Sequence, residues 1–97
     1  MQKKLIINKL HNSPKTFEVS IILTETINSK DWNTELHITI NTNSGAVDRS
    51  LSLVNADSPA KVYLLSELFS VAHKVMMGEI TDRLVLEEQD IYKPFQF

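Results

Sequence analysis

The pattern of apolar and polar side chains along the chain predicts an antiparallel sheet covered by one helix. Apolar residues occupy every odd position from Phe17 to Leu23, which is the period of a strand with one buried face. Apolar and polar residues also alternate over 36–40 and 51–53. Within 62–76, apolar residues fill about half of a helical wheel, which is typical of a helix that lies across a sheet.

These segments predict a single α+β domain over 1–97, with one long amphipathic helix packed against a sheet of four to five strands. The expected elements are two β-hairpins, 4–10 with 16–25 and 34–42 with 46–54, and a helix over about 58–77. Ser58 and Pro59 supply the signals that begin this helix, a hydroxyl N-cap and a proline in the first turn. Gly78 is placed to end it in the left-handed conformation.

The C-terminal segment allows two interpretations. Leu84, Val85 and Leu86 fit either a fifth strand or the apolar centre of a short helix, and we favour the strand. Residues 91–97 then form an extended, aromatic tail, because the residue before Pro94 avoids the helical region.

The second hairpin can be assigned a register from its polarity. If Ser44 and Gly45 form a two-residue loop, Ile38 faces Leu51 and Ile40 faces Arg49. Apolar residues then meet apolar ones almost throughout, whereas a slip of one residue would invert a whole strand.

The first hairpin carries apolar side chains on both faces. Leu5, Ile6 and Ile7 are consecutive apolar residues, and Ile22 directly follows Ile21. Ile6, Ile22 and Leu10 therefore point away from the expected core and form a candidate partner-binding surface.

Composition removes several chemistries from consideration. The chain has no Cys, so a disulfide framework, a cysteine nucleophile and cysteine zinc sites are excluded. Its two glycines are far apart, which excludes a glycine-rich phosphate loop. The formal net charge of −2 is typical of neither a strongly basic nucleic-acid binder nor an acidic nucleic-acid mimic.

The polar residues show no catalytic or metal-binding spacing. His11, His37 and His73 are separated along the chain, and none stands at ligand spacing from another histidine or a carboxylate. The hydroxyls expected beside His37 lack a third orienting group and an oxyanion hole. We therefore expect no enzymatic activity, no metal and no cofactor.

The distribution of aromatic residues along the chain is the strongest functional signal. Tyr92, Phe95 and Phe97 lie in the last six positions, where disorder is usual and apolar side chains are unexpected. Two readings are open: the tail folds over the second face of the sheet and covers Ile6, Leu10 and Ile22, or it docks into another chain. Trp32, in the expected polar loop 28–33, is a second candidate contact. A Trp ring that folds over the edge of the core is an equally common arrangement.

The charges separate along the chain. Residues 1–30 hold five lysines and two glutamates, whereas residues 31–97 hold five basic and ten acidic residues. We call Lys3, Lys4, Lys9 and Lys15 the basic pole, and Glu87, Glu88 and Asp90 the acidic pole. The two poles are able to orient a partner or to attract each other within one fold.

Together these features predict a non-enzymatic protein-binding module, an inhibitor, adaptor or regulatory subunit that occludes a partner surface. The alternatives are a self-assembling structural subunit and a weak nucleic-acid binder that uses the basic hairpin. The apolar run at 5–7 is too short for an export signal, so we expect a cytoplasmic protein without membrane partners.

Overall fold

Five antiparallel strands and one helix make up the part of the chain that the structure describes. The structure is a computed structural model, and it describes residues 2–10, 13–44, 47–50 and 61–97. Its elements are β1 (Gln2–Leu10), β2 (Ser13–Ile27), β3 (Lys30–Asn41), β4 (Val47–Ser50), α1 (Lys61–Met76) and β5 (Leu84–Glu88). The strand order is β4-β3-β2-β1-β5, so the predicted α+β class is confirmed.

The core lies between one face of the sheet and α1. Alternation along each strand sends every second side chain to this face. The buried apolar strand residues are Leu5, Ile7, Phe17, Val19, Ile21, Leu23, Leu36, Ile38 and Ile40. The helix lies closest to β2 and β3 and contributes Leu64, Leu68, Val71, Ala72 and Val75 to the same cluster.

The buried arc of α1 is displaced from the arc that the apolar pattern predicts. Glu67, expected on the polar side, is buried, whereas Val62 is 76% exposed and Phe69 is 41% exposed. The reason is that Ile91 and Phe95 also pack on this side of the sheet, so the helix turns its Glu67 side inward.

The helix ends as the glycine predicts. Gly78 adopts a positive φ of 76°. The amide of Gly78 donates to the carbonyl of Val75, and the amide of Glu79 donates to the carbonyl of Lys74. This pair of bonds is the Schellman motif, which satisfies the last helical carbonyls. The expected start at Ser58 and Pro59 lies outside the described residues.

The turn between β2 and β3 is much tighter than the predicted loop. Asn28 and Ser29 both have positive φ, 53° and 64°, as a two-residue type I′ turn requires. Ile27 pairs with Lys30 across it. The prediction that 28–33 form a polar loop is therefore wrong, because polarity alone does not distinguish a loop from an exposed strand end.

The register of the β3–β4 hairpin differs from the prediction by two residues. Ile40 pairs with Val47 and Ile38 pairs with Arg49, whereas the sequence predicted Arg49 opposite Ile40. A shift of two residues preserves the odd–even parity of the predicted pairing between β3 and β4. The predicted partners of Leu36 and Ile38 in 51–53 lie outside the described residues.

The C-terminal segment forms a strand and then a buried tail. Leu84–Glu88 pairs with β1, with Ile6 opposite Val85 and Lys4 opposite Glu87, which confirms the favoured strand interpretation. Beyond β5, Ile91 and Phe95 join the core beneath α1. One of the two readings expected the tail to cover the second face of the sheet. The tail packs on the first face instead.

Candidate functional site

The face of the sheet that points away from α1 carries a small apolar patch. The helix and the buried tail residues both pack on the other face, so this second face is left open by the described chain. Antiparallel sheets with one solvated face normally present polar residues there. Ile6, Ile22 and Val85 break that rule on three adjacent strands, and we call these three residues the apolar patch.

Strand pairing brings the members of the apolar patch together. Ile6 and Val85 are direct cross-strand partners, which places their Cβ atoms about 4.5–5.5 Å apart. Ile22 pairs with Lys4, so it lies one diagonal step from Ile6. Val85 is 46% exposed, while Ile6 and Ile22 are partly buried. The predicted surface residues Ile6 and Ile22 are thus joined by Val85, which the sequence did not single out.

Charged side chains border the apolar patch and are mostly acidic. Glu35 is the cross-strand partner of Ile22, and Glu87 stands beside Lys4. The Lys4 ammonium lies 3.8 Å from the Glu87 carboxylate, and both side chains are substantially exposed. Glu18 lies further along β2 on the same face. Three carboxylates against one ammonium give this border a net negative charge.

A serine, a histidine and a glutamate lie together on the same face. The Ser20 hydroxyl and His37 Nδ1 are 2.8 Å apart across β2 and β3, and His37 Nε2 is 3.7 Å from a Glu35 carboxylate oxygen. The sequence pattern did not identify Ser20, because the predicted register paired His37 only with the strand that follows it in the chain.

The geometry of this triplet favours a structural role. Ser20 is buried, so its hydroxyl needs a partner, and His37 supplies one. Ser20 of the triplet is paired with Ile6 of β1 in the strand ladder. Acyl transfer needs N–H donors aimed at a developing oxyanion, and ladder pairing engages the amides beside Ser20. The Ser20–His37 contact therefore links β2 to β3 beside the apolar patch.

Trp32 lies apart from the apolar patch. It belongs to β3, pairs with Glu25 and is 42% exposed. Its parity matches that of Leu36, so its ring stands on the helix side of the sheet. Leu10 is also exposed but follows a register irregularity after Lys9. Trp32 therefore does not share the surface formed by Ile6 and Ile22.

The aromatic tail divides into buried and exposed members. Phe95 is only 6% exposed and belongs to the core, so it is removed from the predicted partner-binding surface. Tyr92 and Phe97 remain exposed. The Tyr92 ring packs edge-on against Tyr63, and the Lys74 ammonium lies 5.7 Å from the centre of the Phe97 ring. Both exposed rings are on the helix side of the molecule.

Phe95 is held by a buried ion pair between the sheet and the helix. The Lys3 ammonium is 2.6 Å from one carboxylate oxygen of Glu67. The backbone amide of Phe95 donates to the other oxygen at 3.2 Å. The same ammonium lies 4.5 Å from the centre of the Phe95 ring. We call Lys3, Glu67 and Phe95 the clamp, because they connect β1, α1 and the tail.

Tyr63 lies at the edge of the clamp. Its ring centre is 5.4 Å from the Lys3 ammonium, and its hydroxyl donates to the carbonyl of Tyr92. Burial raises the pKa of the Tyr63 hydroxyl above its ordinary value, and the negative charges of Glu67 and Asp90 raise it further. The hydroxyl therefore keeps its proton, and with it the bond to the tail, at neutral pH.

The predicted charged poles meet within the fold. Lys3 is buried in the clamp and does not belong to an exposed basic surface. Lys4 pairs with Glu87, and Lys3 stands opposite Glu88 in the ladder. Only Lys9 and Lys15 of the basic pole remain exposed and outside an ion pair in the described chain. Asp90 accepts a backbone bond from Tyr92 and shapes the turn after β5.

Comparisons with known proteins identify no relative: no family model, no curated protein and no solved structure matches this chain. Among the described residues, no three metal-binding side chains come together. In the same part of the chain, no helix has the length and hydropathy needed to cross a membrane.

Proposed function

We propose that this protein is a non-enzymatic binding module that docks another protein on the open face of its sheet. The observation that supports this proposal is the apolar patch itself. Ile6, Ile22 and Val85 each depart from the alternation of their strand, and strand pairing gathers the three departures into one place. Exposed apolar groups that are clustered and bordered by polar residues are typical of protein interfaces.

The charges around the apolar patch indicate the chemistry of the partner. Glu18, Glu35 and Glu87 outnumber Lys4 on this face. A matching surface presents apolar side chains flanked by Lys or Arg, because charge complementarity selects partners and speeds their encounter. Binding of this kind covers a partner surface without chemistry, as an inhibitor, adaptor or regulatory subunit does. We place this activity in the cytoplasm, since the chain has no cysteine to cross-link.

The same charges argue against a second copy as the occupant. A two-fold contact between open faces would bring Glu35 and Glu87 of one copy toward the acidic border of the other. Like charges across an interface are destabilising. A foreign basic surface therefore fits this face better than self-assembly does.

Substitution of Val85 by Arg tests the proposal. Val85 is exposed, so Val85→Arg should leave folding intact while placing a charge in the apolar patch directly beside Ile6. Val62→Arg is the matched control, because Val62 is exposed on the helix instead. Immobilised wild-type protein and Val62→Arg should retain the same proteins from the source cells, and Val85→Arg should lose them.

Two results would contradict the proposal. One is retention of the same proteins by Val85→Arg, which would move the contact elsewhere. The other is a dimer in light scattering that Val85→Arg dissociates, which would assign the apolar patch to self-assembly.

A further inference from the structure

A cavity with two lysines at its mouth lies at the end of the molecule opposite the clamp. Its volume is about 200 Å³, and it opens between the sheet, the C-terminal end of α1 and residues 80–81. Phe17 and Val75, both buried, form its apolar floor together with Met76 and Ile80. Lys9, Lys15, Thr42 and Thr81 supply its polar lining.

The two lysines are positioned by the first hairpin. Lys9 is the cross-strand partner of Phe17, and Lys15 stands two residues before Phe17 on β2. Both side chains therefore point to the helix side of the sheet, beside the cavity floor. Both are exposed, and in the described part of the chain neither ammonium belongs to an ion pair. Two unpaired positive charges thus face one apolar cavity.

The end of the helix does not account for these lysines. Cations near a helix C-terminus are often explained by its partial negative charge. Here three carbonyls near that end already accept backbone bonds: those of His73, Lys74 and Val75 accept from Met77, Glu79 and Gly78. Lys74, on the helix itself, is the cation nearest in sequence to that end. Among the described residues, the ammonium groups of Lys9 and Lys15 are therefore free to bind another negatively charged group.

We propose that this cavity binds a small apolar group that ends in a carboxylate. The carboxylate would lie between Lys9 and Lys15, and the apolar part would enter against Phe17, Val75, Met76 and Ile80. A dry cavity of about 150 Å³ accommodates benzene, so the volume here suits a single ring or a short acyl chain. Such a group occurs in free aryl or acyl carboxylates and at the C-terminus of peptides that end in Phe.

Titration with 3-phenylpropionate, followed by NMR of backbone amides, tests this site. The amides of Val75, Gly78 and Ile80 should shift and saturate, while those of β3 near Trp32 should not. Lys9→Met/Lys15→Met should weaken binding at least about tenfold, since hydrogen bonds to charged groups contribute that much. Lys30→Met, an exposed lysine at the far end of the sheet, should leave binding unchanged.

Neutral and peptide analogues separate the parts of the proposal. The amide 3-phenylpropionamide should bind at least about tenfold more weakly than the acid. Acetyl-Gly-Phe with a free carboxylate should bind through the same amides, and tighter binding than 3-phenylpropionate would assign the site to peptide C-termini. Equal binding of the acid and its amide, no effect of the double lysine variant, or no saturation at millimolar concentration would overturn the proposal.

Discussion

Lys3 and Glu67 place opposite charges almost completely out of water. Burial of a charge is costly, and a buried pair stabilises a fold only when its geometry and additional hydrogen bonds compensate. Here Glu67 uses both oxygens, one on Lys3 and one on the Phe95 amide. The charge of Lys3 also faces the Phe95 ring, which adds a cation–π contact. Each member of the clamp thus depends on the other two.

Removal of one charge should be far more damaging than removal of both. We expect Lys3→Met to lower the free energy of unfolding by about 3–5 kcal/mol, because it leaves Glu67 buried without a counter-charge. Lys3→Met/Glu67→Leu should be more stable than Lys3→Met, although the Phe95 amide then loses its acceptor. Urea denaturation of the two variants and of wild type measures these differences.

The adjacent residue provides the control. Lys4→Met breaks the exposed pair with Glu87 and should change stability by less than about 1 kcal/mol. Equal effects of Lys3→Met and Lys4→Met would show that the buried pair adds nothing beyond a surface pair.

Among the elements, the β2–β3 hairpin depends most on local backbone geometry. Its strands have 15 and 12 residues, longer than most strands in globular proteins. Beyond Thr24, the last residue of β2 that pairs with β1, the described chain adds no further strand beside them. The end of the hairpin is therefore a two-stranded ribbon whose register is set by Asn28 and Ser29.

Replacement of Ser29 by Gly should stabilise this hairpin. Ser29 has a φ of 64°, a conformation that costs an L-residue about 1 kcal/mol but not glycine. After the larger entropy of glycine in the unfolded chain is allowed for, we expect a gain of about 0.5 kcal/mol. Thermal unfolding measures it, and Asn33→Gly on exposed β3 should instead destabilise the protein. A loss of stability in Ser29→Gly would mean that its hydroxyl matters more than its backbone.

The spacing of apolar side chains predicted the strands and the helix, because it depends only on which side of each element is buried. It also predicted that Ile6 and Ile22 share the open face. It did not identify Val85, because Leu84, Val85 and Leu86 are all apolar and their faces become defined only when β5 pairs with β1. The same limit explains Lys3 and Glu67: each looks like a surface residue until the other, 64 positions away, is beside it.

At the scale of the whole molecule, the helix and the tail together cover one face of the sheet. The helix lies closest to β2 and β3, whereas the tail inserts Phe95 beside Lys3 of β1. The sequence indicated that the tail is too apolar to be solvated. The face that the tail covers could not be predicted, because it is set by contacts with the buried Lys3 and Glu67, which the sequence pattern places on the surface.

The two phenylalanines of the tail should therefore differ sharply. Phe95→Ala should lower the free energy of unfolding by about 3–5 kcal/mol, because it empties a buried site. Phe97→Ala removes an exposed ring beside Lys74 and should cost less than about 1 kcal/mol. Chemical denaturation of both variants compares them. Similar values for the two would mean that the tail contributes to the fold as a whole and not through the clamp.

The strand order β4-β3-β2-β1-β5 has a consequence for the course of folding. The meander of β1, β2 and β3 needs only local contacts, whereas β1 obtains its second neighbour only when Leu84–Glu88 arrives. Contacts so distant in sequence form slowly. Until then β1 is an uncovered edge strand, with Leu5 and Ile7 on one face and Ile6 on the other, which invites pairing with other chains. The short β5 thus covers this edge only once it has paired with β1, so the exposure of β1 lasts until this late step.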